Sequence, residues 1–381
     1  MPSPQKSEAA AALALAWAAS IGALFLSLQP MIVGAWVDRA GLSLQEAGFA
    51  ASANMLGKIV GTVCALALLR AGRTRRFIAA GALLAALGEL ATGMSGGSAM
   101  AITGSRLLAG FGGGVLMASA AASAATLSNP DRAFGLVLFS QTLTGALGLY
   151  AAPAILAAVG LTGMFLGLSA LALTVLLVAR FFAEPAPQGE KGSGPWRAMF
   201  GAATLLLIAS LWIHYVANNG MWAHLERVGV GAGIAAGGIG TALAVGQSFG
   251  LVGSAAAMLL ANRIPRVLAI AIGVVLTAGS ALLLMRTTDA LVLGAGVALF
   301  IGSLSFAVPF YLGALAARDA SGRLIIVGQL AIMAGLFVGP SVAAWIVTSG
   351  SMNAMLWAAV VGFLLSLGLA LAALRRATPQ T

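Results

Sequence analysis

Glu184-Pro-Ala-Pro-Gln-Gly-Glu-Lys-Gly-Ser-Gly-Pro195 is the longest polar stretch in the 381-residue chain, and its position decides the fold. Before it lie apolar runs at 9–37, 47–70, 77–95, 99–127, 133–159 and 161–182. After it lie runs at 199–224, 235–260, 265–285, 289–316, 324–348 and 352–374. A helix needs about 20 apolar residues to cross the hydrocarbon core, and each run supplies them. The runs are continuously apolar and do not alternate, which predicts helices, not barrel strands. The proline, glycine and charge content of 184–195 reads as a flexible linker. The expected architecture is therefore all-α and polytopic, with twelve transmembrane helices arranged as two six-helix pseudo-repeats. The expected units are an N-terminal bundle over 1–182, a cytoplasmic linker over 183–198 and a C-terminal bundle over 199–381.

Composition leads to the same class independently. Apolar residues make up 60% of the chain and charged residues 8%, with a mean hydropathy of +1.02. A soluble domain carries about 25% charged residues, so this inventory builds a lipid-facing surface. It excludes a soluble enzyme, a nucleic-acid-binding domain and a disulfide-stapled secreted module. Cys64 is the only cysteine, and His214 and His224 are the only histidines. Neither an internal disulfide nor a cysteine- or histidine-rich metal site can be assembled from them, and no cofactor is expected. The apolar run from Ala9 is too long for a signal-peptide core and reads as a first span.

The net charge of +10 is a topology signal. With the N-terminus inside, the inner segments hold fifteen of the twenty lysines and arginines. The outer loops hold only Arg39, Arg227 and Arg286, and Lys58 and Arg106 lie within spans. The positive-inside rule then places both termini in the cytoplasm of a multi-pass inner-membrane protein. No nucleic-acid partner is expected.

An internal repeat supports two related halves. Gly34-Ala-Trp36 recurs as Gly220-Met-Trp222, and Gly148-Leu-Tyr-Ala-Ala-Pro153 recurs as Gly335-Leu-Phe-Val-Gly-Pro340. The two matches share nearly one offset, and each falls in the equivalent run of its half.

With these features the chain resembles the major facilitator superfamily of secondary transporters over its whole length. The loop Arg70-Ala-Gly72-Arg73-Thr-Arg75-Arg76 is similar to that family's cytoplasmic motif, with a weaker copy at Asn262-Arg263-Ile-Pro-Arg266. Leu69 stands where the family has an acidic residue, and Ala65 where it has glycine. Arg106-Leu-Leu-Ala-Gly110-Phe-Gly112-Gly-Gly114 is similar to the arginine-and-glycine motif of the fourth span. The proline motif of the fifth span is similar to one associated with exporters, with Ala152 in place of its glycine. The resemblance implies alternating access of two six-helix halves around a midplane site, with the fourth span lining the cavity.

Charges inside spans cost on the order of 2.5–3.5 kcal/mol each on insertion scales, so they need a reason. Lys58, Glu89 and Arg106 are the three. Glu89 and Arg106 flank a short hairpin, where a salt bridge is geometrically easy, so Glu89 is either a proton-coupling group or half of a buried ion pair. Arg106, Gly110 and Gly114 follow i, i+4, i+8 spacing, and this face admits a close helix or a ligand. A guanidinium there offers a bidentate fork to a carboxylate. Lys58 shares a polar stripe with Asn54 and Thr62. In the seventh span His214, Asn218 and Trp222 share a stripe, beside Trp212 and Tyr215, and His214 is a candidate proton relay. Gln29 precedes Pro30, whose ring frees a backbone carbonyl. Gln141, Gln247, Tyr311 and Gln329 read mainly as interhelical glue.

The expected substrate site is thus Arg106, Lys58, Gln29, His214, Asn218 and Trp222, with Glu89 and His214 as coupling groups. No Walker loop or nucleophile elbow is present. The expected function is secondary transport of a small organic or aromatic acid anion, coupled to protons, with the lipid bilayer as surroundings and no obligate protein partner. An exporter of amphiphilic drugs is the near alternative. A transport-inactive receptor is a third reading, and it would need extra soluble segments for partners, of which there are almost none.

Overall fold

A computed structural model describes residues 4–68, 74–124, 126–182, 200–261, 263–319 and 323–375. The linker proposed at 183–198 and the loop residues Arg70, Gly72 and Arg73 lie outside the described residues, as does Asn262. The chain divides into two compact units, Met1–Gly189 and Glu190–Thr381.

The first unit contains α1 (Pro4–Ala40), α2 (Leu44–Leu68), α3 (Thr74–Gly93), α4 (Ala99–Ala124) and α5 (Pro130–Val178). The second contains α6 (Ala202–Gly231), α7 (Ala236–Leu260), α8 (Arg266–Leu284), α9 (Ala290–Ala316), α10 (Arg323–Ser349) and α11 (Met352–Arg375). Eleven helices among the described residues are long and apolar enough to cross a membrane, where the sequence reading expected twelve.

The difference lies in α5. Its 49 residues would extend about 74 Å as a straight rod, more than twice the hydrocarbon core. It is broken at Gly160, whose φ of 68° and ψ of −172° are open mainly to glycine. Contacts with α1 show what the break does. In the first arm Ser140 bonds Ser20 and the Leu156 carbonyl accepts from Arg39, so this arm runs parallel to α1. In the second arm Phe165 stacks on Trp36 and Thr174 accepts from Trp17, so it runs antiparallel. Gly160 therefore joins two opposed arms, at the boundary predicted between the fifth and sixth runs.

Other ends follow local chemistry. Gly41, at φ 72°, ends α1. Ser43 and Glu46 form a reciprocal capping box opening α2: the Ser43 N–H donates to Glu46 Oε2 at 2.8 Å, and the Glu46 N–H to Ser43 Oγ at 3.2 Å. Asn129 caps α5 and Asp289 caps α9. The seventh span was placed at 199–224, but α6 continues to Gly231. Glu226 and Arg227 pair through two hydrogen bonds and are thereby accommodated in the helix. α1 stays helical through Pro30.

The repeat has a packing basis. A side chain on Gly148 would meet Leu28 of α1, and one on Gly335 would meet Tyr215 of α6. Both glycines let the fifth helical segment of a unit lie against its first.

Candidate functional site

The polar stripe of α2 and the glycine stripe of α4 face each other. A Cβ on Gly110 would collide with the Asn54 carbonyl, and one on Gly114 with that of Lys58; Gly57 and Gly61 of α2 meet Leu107 and Phe111 in the same way. Glycine is required at this seam because two backbones touch. Asn54 Nδ2 donates to the Arg106 carbonyl at 3.1 Å, and Thr62 Oγ1 to that of Gly114 at 3.3 Å. Of the two occupants that the spacing admits, the glycines Gly110 and Gly114 of α4 therefore receive a helix.

The Arg106 side chain is fully buried and reaches α3. Its Nη1 donates to Glu89 Oε2 at 2.6 Å and its Nη2 to Oε1 at 3.1 Å, a bidentate pair. The guanidinium carbon lies 4.1 Å from the ring centroid of Phe25 in α1 and 5.6 Å from that of Phe165 in α5. Glu89 lies four residues before the end of α3, about 6 Å along the axis, and keeps 13% side-chain exposure.

Arg106, Glu89, Lys58 and Asn54 share the wall of one cavity of about 30 Å³, with Phe25, Leu168 and Ala172 among its apolar lining. That volume holds one or two water-sized groups. Lys58 is buried, and its Nζ has no hydrogen-bond partner among the described residues; neither has Arg106 Nε. Two unsatisfied donors thus belong to residues lining one small space.

Gln29 is fully buried, and its amide oxygen and nitrogen are both without partners among the described residues, but it is not on the wall of this cavity. In the second unit His214, Asn218 and Trp222 all lie buried along α6. The His214 ring sits among those of Phe363, Tyr215 and Tyr311, at 5.0, 6.0 and 6.1 Å between centroids. Neither of its nitrogens has a partner among the described residues. Trp222 stacks on Phe300 at 6.5 Å. Tyr311 is tied to Ser210 at 3.1 Å and Ser366 at 3.2 Å, and Gln141 donates to the Ala19 carbonyl at 3.2 Å; both act as glue. The predicted residues therefore fall into separate groups, the Arg106 cluster in one unit and the His214 stripe in the other.

Sequence reading named Tyr215 and Tyr311 but missed Phe363 beside His214, and it missed Phe25 and Phe165 around Arg106. Phe25 precedes Gln29 by four residues and shares its helix face, a signal that was available. Phe165 and Phe363 come from distant helices and carried none.

Helical segments that cross and recross, with paired charges inside, define a multi-pass membrane protein. The chain belongs to the Major Facilitator Superfamily, whose sequence profile matches residues 9–321. The fold resembles that of the nucleoside transporter NupG at a TM-score of 0.80 and 10% identity, covering 96% of this chain and all of that one. It also resembles a D-xylose–proton symporter at 0.69 and 14% identity, covering 97% and 95%. No curated protein sequence matches it. The expected class, a transporter and not an enzyme, agrees with these findings.

Proposed function

We propose that the protein is a proton-coupled secondary transporter of a small organic anion, working by alternating access, with both termini on the cytoplasmic side of a cell membrane. One observation carries this reading. The cavity of the first unit holds two cations and one carboxylate, a formal charge of +1 when all three are ionised, and the Lys58 ammonium has no hydrogen-bond partner among the described residues. An unpaired ammonium in low dielectric is costly, and an anion would offset that cost. Arg106 is already forked onto Glu89, so Lys58 is the primary recognition group and Arg106 Nε the second donor.

A neutral hydroxylated solute is the other reading. The names of the sugar symporter and the nucleoside transporter suggest it, as do the unpartnered groups of Gln29, His214 and Asn218.

Proteoliposome uptake of carboxylates, sugars, nucleosides and cationic drugs, with and without an imposed pH gradient, separates the readings. Carboxylates should accumulate with an inward proton gradient. A hydrogen bond to a charged group contributes about 1.5–3 kcal/mol, so Lys58→Met should weaken carboxylate affinity by about ten- to a hundredfold while the protein still folds. Uptake of sugars or nucleosides without carboxylates, or normal carboxylate affinity in Lys58→Met, would overturn the anion reading.

A further inference from the structure

The cavity beside the Arg106–Glu89 pair measures about 30 Å³, enough for one or two groups the size of water. Three polar atoms of the residues in its wall are buried without a hydrogen-bond partner among the described residues: Lys58 Nζ, Arg106 Nε and Asn54 Oδ1. The first two are cationic donors, on residues only 5% and 0% exposed. The Arg106 fork is planar, and Glu89 takes its two terminal nitrogens end-on, so the Nε–H projects from another edge of the plane. Both Glu89 oxygens are used in that pair. Among the lining residues α2 contributes Lys58, α3 Glu89 and α4 Arg106, and no other charged side chain is present; α1 and α5 supply apolar residues such as Phe25 and Leu168.

We propose that this cavity is a binding site for a small monatomic anion, chloride in a cell, held between the Lys58 ammonium and the Arg106 Nε–H. Size and charge argue for it separately. A halide is little larger than a water molecule, whereas the polyatomic sulfate and methanesulfonate ions exceed the space. The three ionised groups sum to +1. A water leaves that charge uncompensated, a metal cation raises it to +2, and a halide brings it to zero, which offsets the cost of burying the ammonium. The second water-sized place then suits a water that donates to the halide and to Asn54 Oδ1. The Arg106–Glu89 pair stays closed throughout. The site follows from the cavity alone and does not require the transport reading; a substrate carboxylate drawn to the same ammonium has to displace the halide, so the two should compete.

The test uses purified full-length protein in detergent, dialysed against labelled chloride in methanesulfonate buffer at constant ionic strength. A single ion should bind per chain and saturate. Bromide should displace it, and sulfate at the same concentration should not. Lys58→Met removes an uncompensated buried cation and should fold, yet bind chloride about ten- to a hundredfold more weakly, as for loss of a hydrogen bond to a charged group. Thermal unfolding followed by tryptophan fluorescence should shift upward with chloride in the wild type and not in Lys58→Met. Absence of saturable binding would overturn the site, as would unchanged binding in Lys58→Met. Displacement by sulfate as readily as by bromide would do the same, since it marks exposed arginines and not the cavity. The bromide and sulfate series decides alone if Lys58→Met does not fold. Chloride binding without carboxylate uptake would keep the site and end the transport reading; carboxylate uptake by a protein that binds no chloride would do the reverse.

Discussion

Arg106→Gln is the most direct probe of the buried cluster. Arg106 has no exposure and holds Glu89 through two hydrogen bonds, so either single change strands a charge. Stranding a buried charge costs about 3–5 kcal/mol. Glu89 keeps 13% exposure and is the less enclosed of the two, so Arg106→Gln should cost about 3 kcal/mol, the lower end of that range. Glu89→Gln leaves the fully buried guanidinium unpaired and should cost about 4 kcal/mol. The double change strands neither of the two. What it loses is the guanidinium packing on Phe25 and Phe165, about 2 kcal/mol for a desolvated cation–π contact. The double variant should therefore be no less stable than either single variant, where simple addition would give a loss of about 7 kcal/mol. Unfolding in mixed micelles of a mild detergent and dodecyl sulfate, followed by tryptophan fluorescence, measures this. A double variant that loses the sum of the two singles would refute the ion-pair account. Transport by the double variant is a separate matter: near-normal carboxylate transport would remove Arg106 from substrate recognition.

Three further outcomes are expected. A tag within 184–195 should be reached by impermeant reagent only from the cytoplasmic side; labelling in intact cells would invert the topology. Tyr311→Phe removes a hydroxyl from a pair of serines that still bond each other at 3.1 Å, so it should cost about 1 kcal/mol in the same unfolding assay; a loss above about 3 kcal/mol would show that the hydroxyl does more than pack the second unit. Asp289 accepts from the Leu291 and Val292 N–H groups, which hold its carboxyl below its ordinary value. That stabilisation is present above the unfolded-state value of 3.8 and is lost as pH falls through the lowered one. Asp289→Asn should flatten the acid limb of a melting-temperature profile, and an unchanged limb would argue against it.

Much of the fold was legible because lipid demands long apolar runs and water demands polar gaps between them. Even the break at Gly160 stood in the sequence, as a glycine between two runs each long enough to span. The site was less legible. Lys58, Glu89 and Arg106 announced themselves by their cost in an apolar helix. The glycines of α4 were ambiguous, because small residues suit a ligand and a neighbouring backbone equally well, and only the approach of α2 distinguishes them. The placement of Phe25 and Phe165 around Arg106 depends on three helices that no spacing rule connects. The end of α6 was misplaced because Glu226 and Arg227 look like a loop until they are seen to neutralise each other.

The reversal at Gly160 fixes the parity of the chain. A crossing number that is even returns the polypeptide to the side where it began, and the two arms of α5 contribute two crossings only because one residue adopts a backbone angle of 68°. Were those arms to pass on as a single rod, the residues after Gly160 would leave the first unit instead of returning along α1, and Trp36 and Trp17 would lose Phe165 and Thr174. The closure of the first unit on itself thus depends on a residue with no side chain.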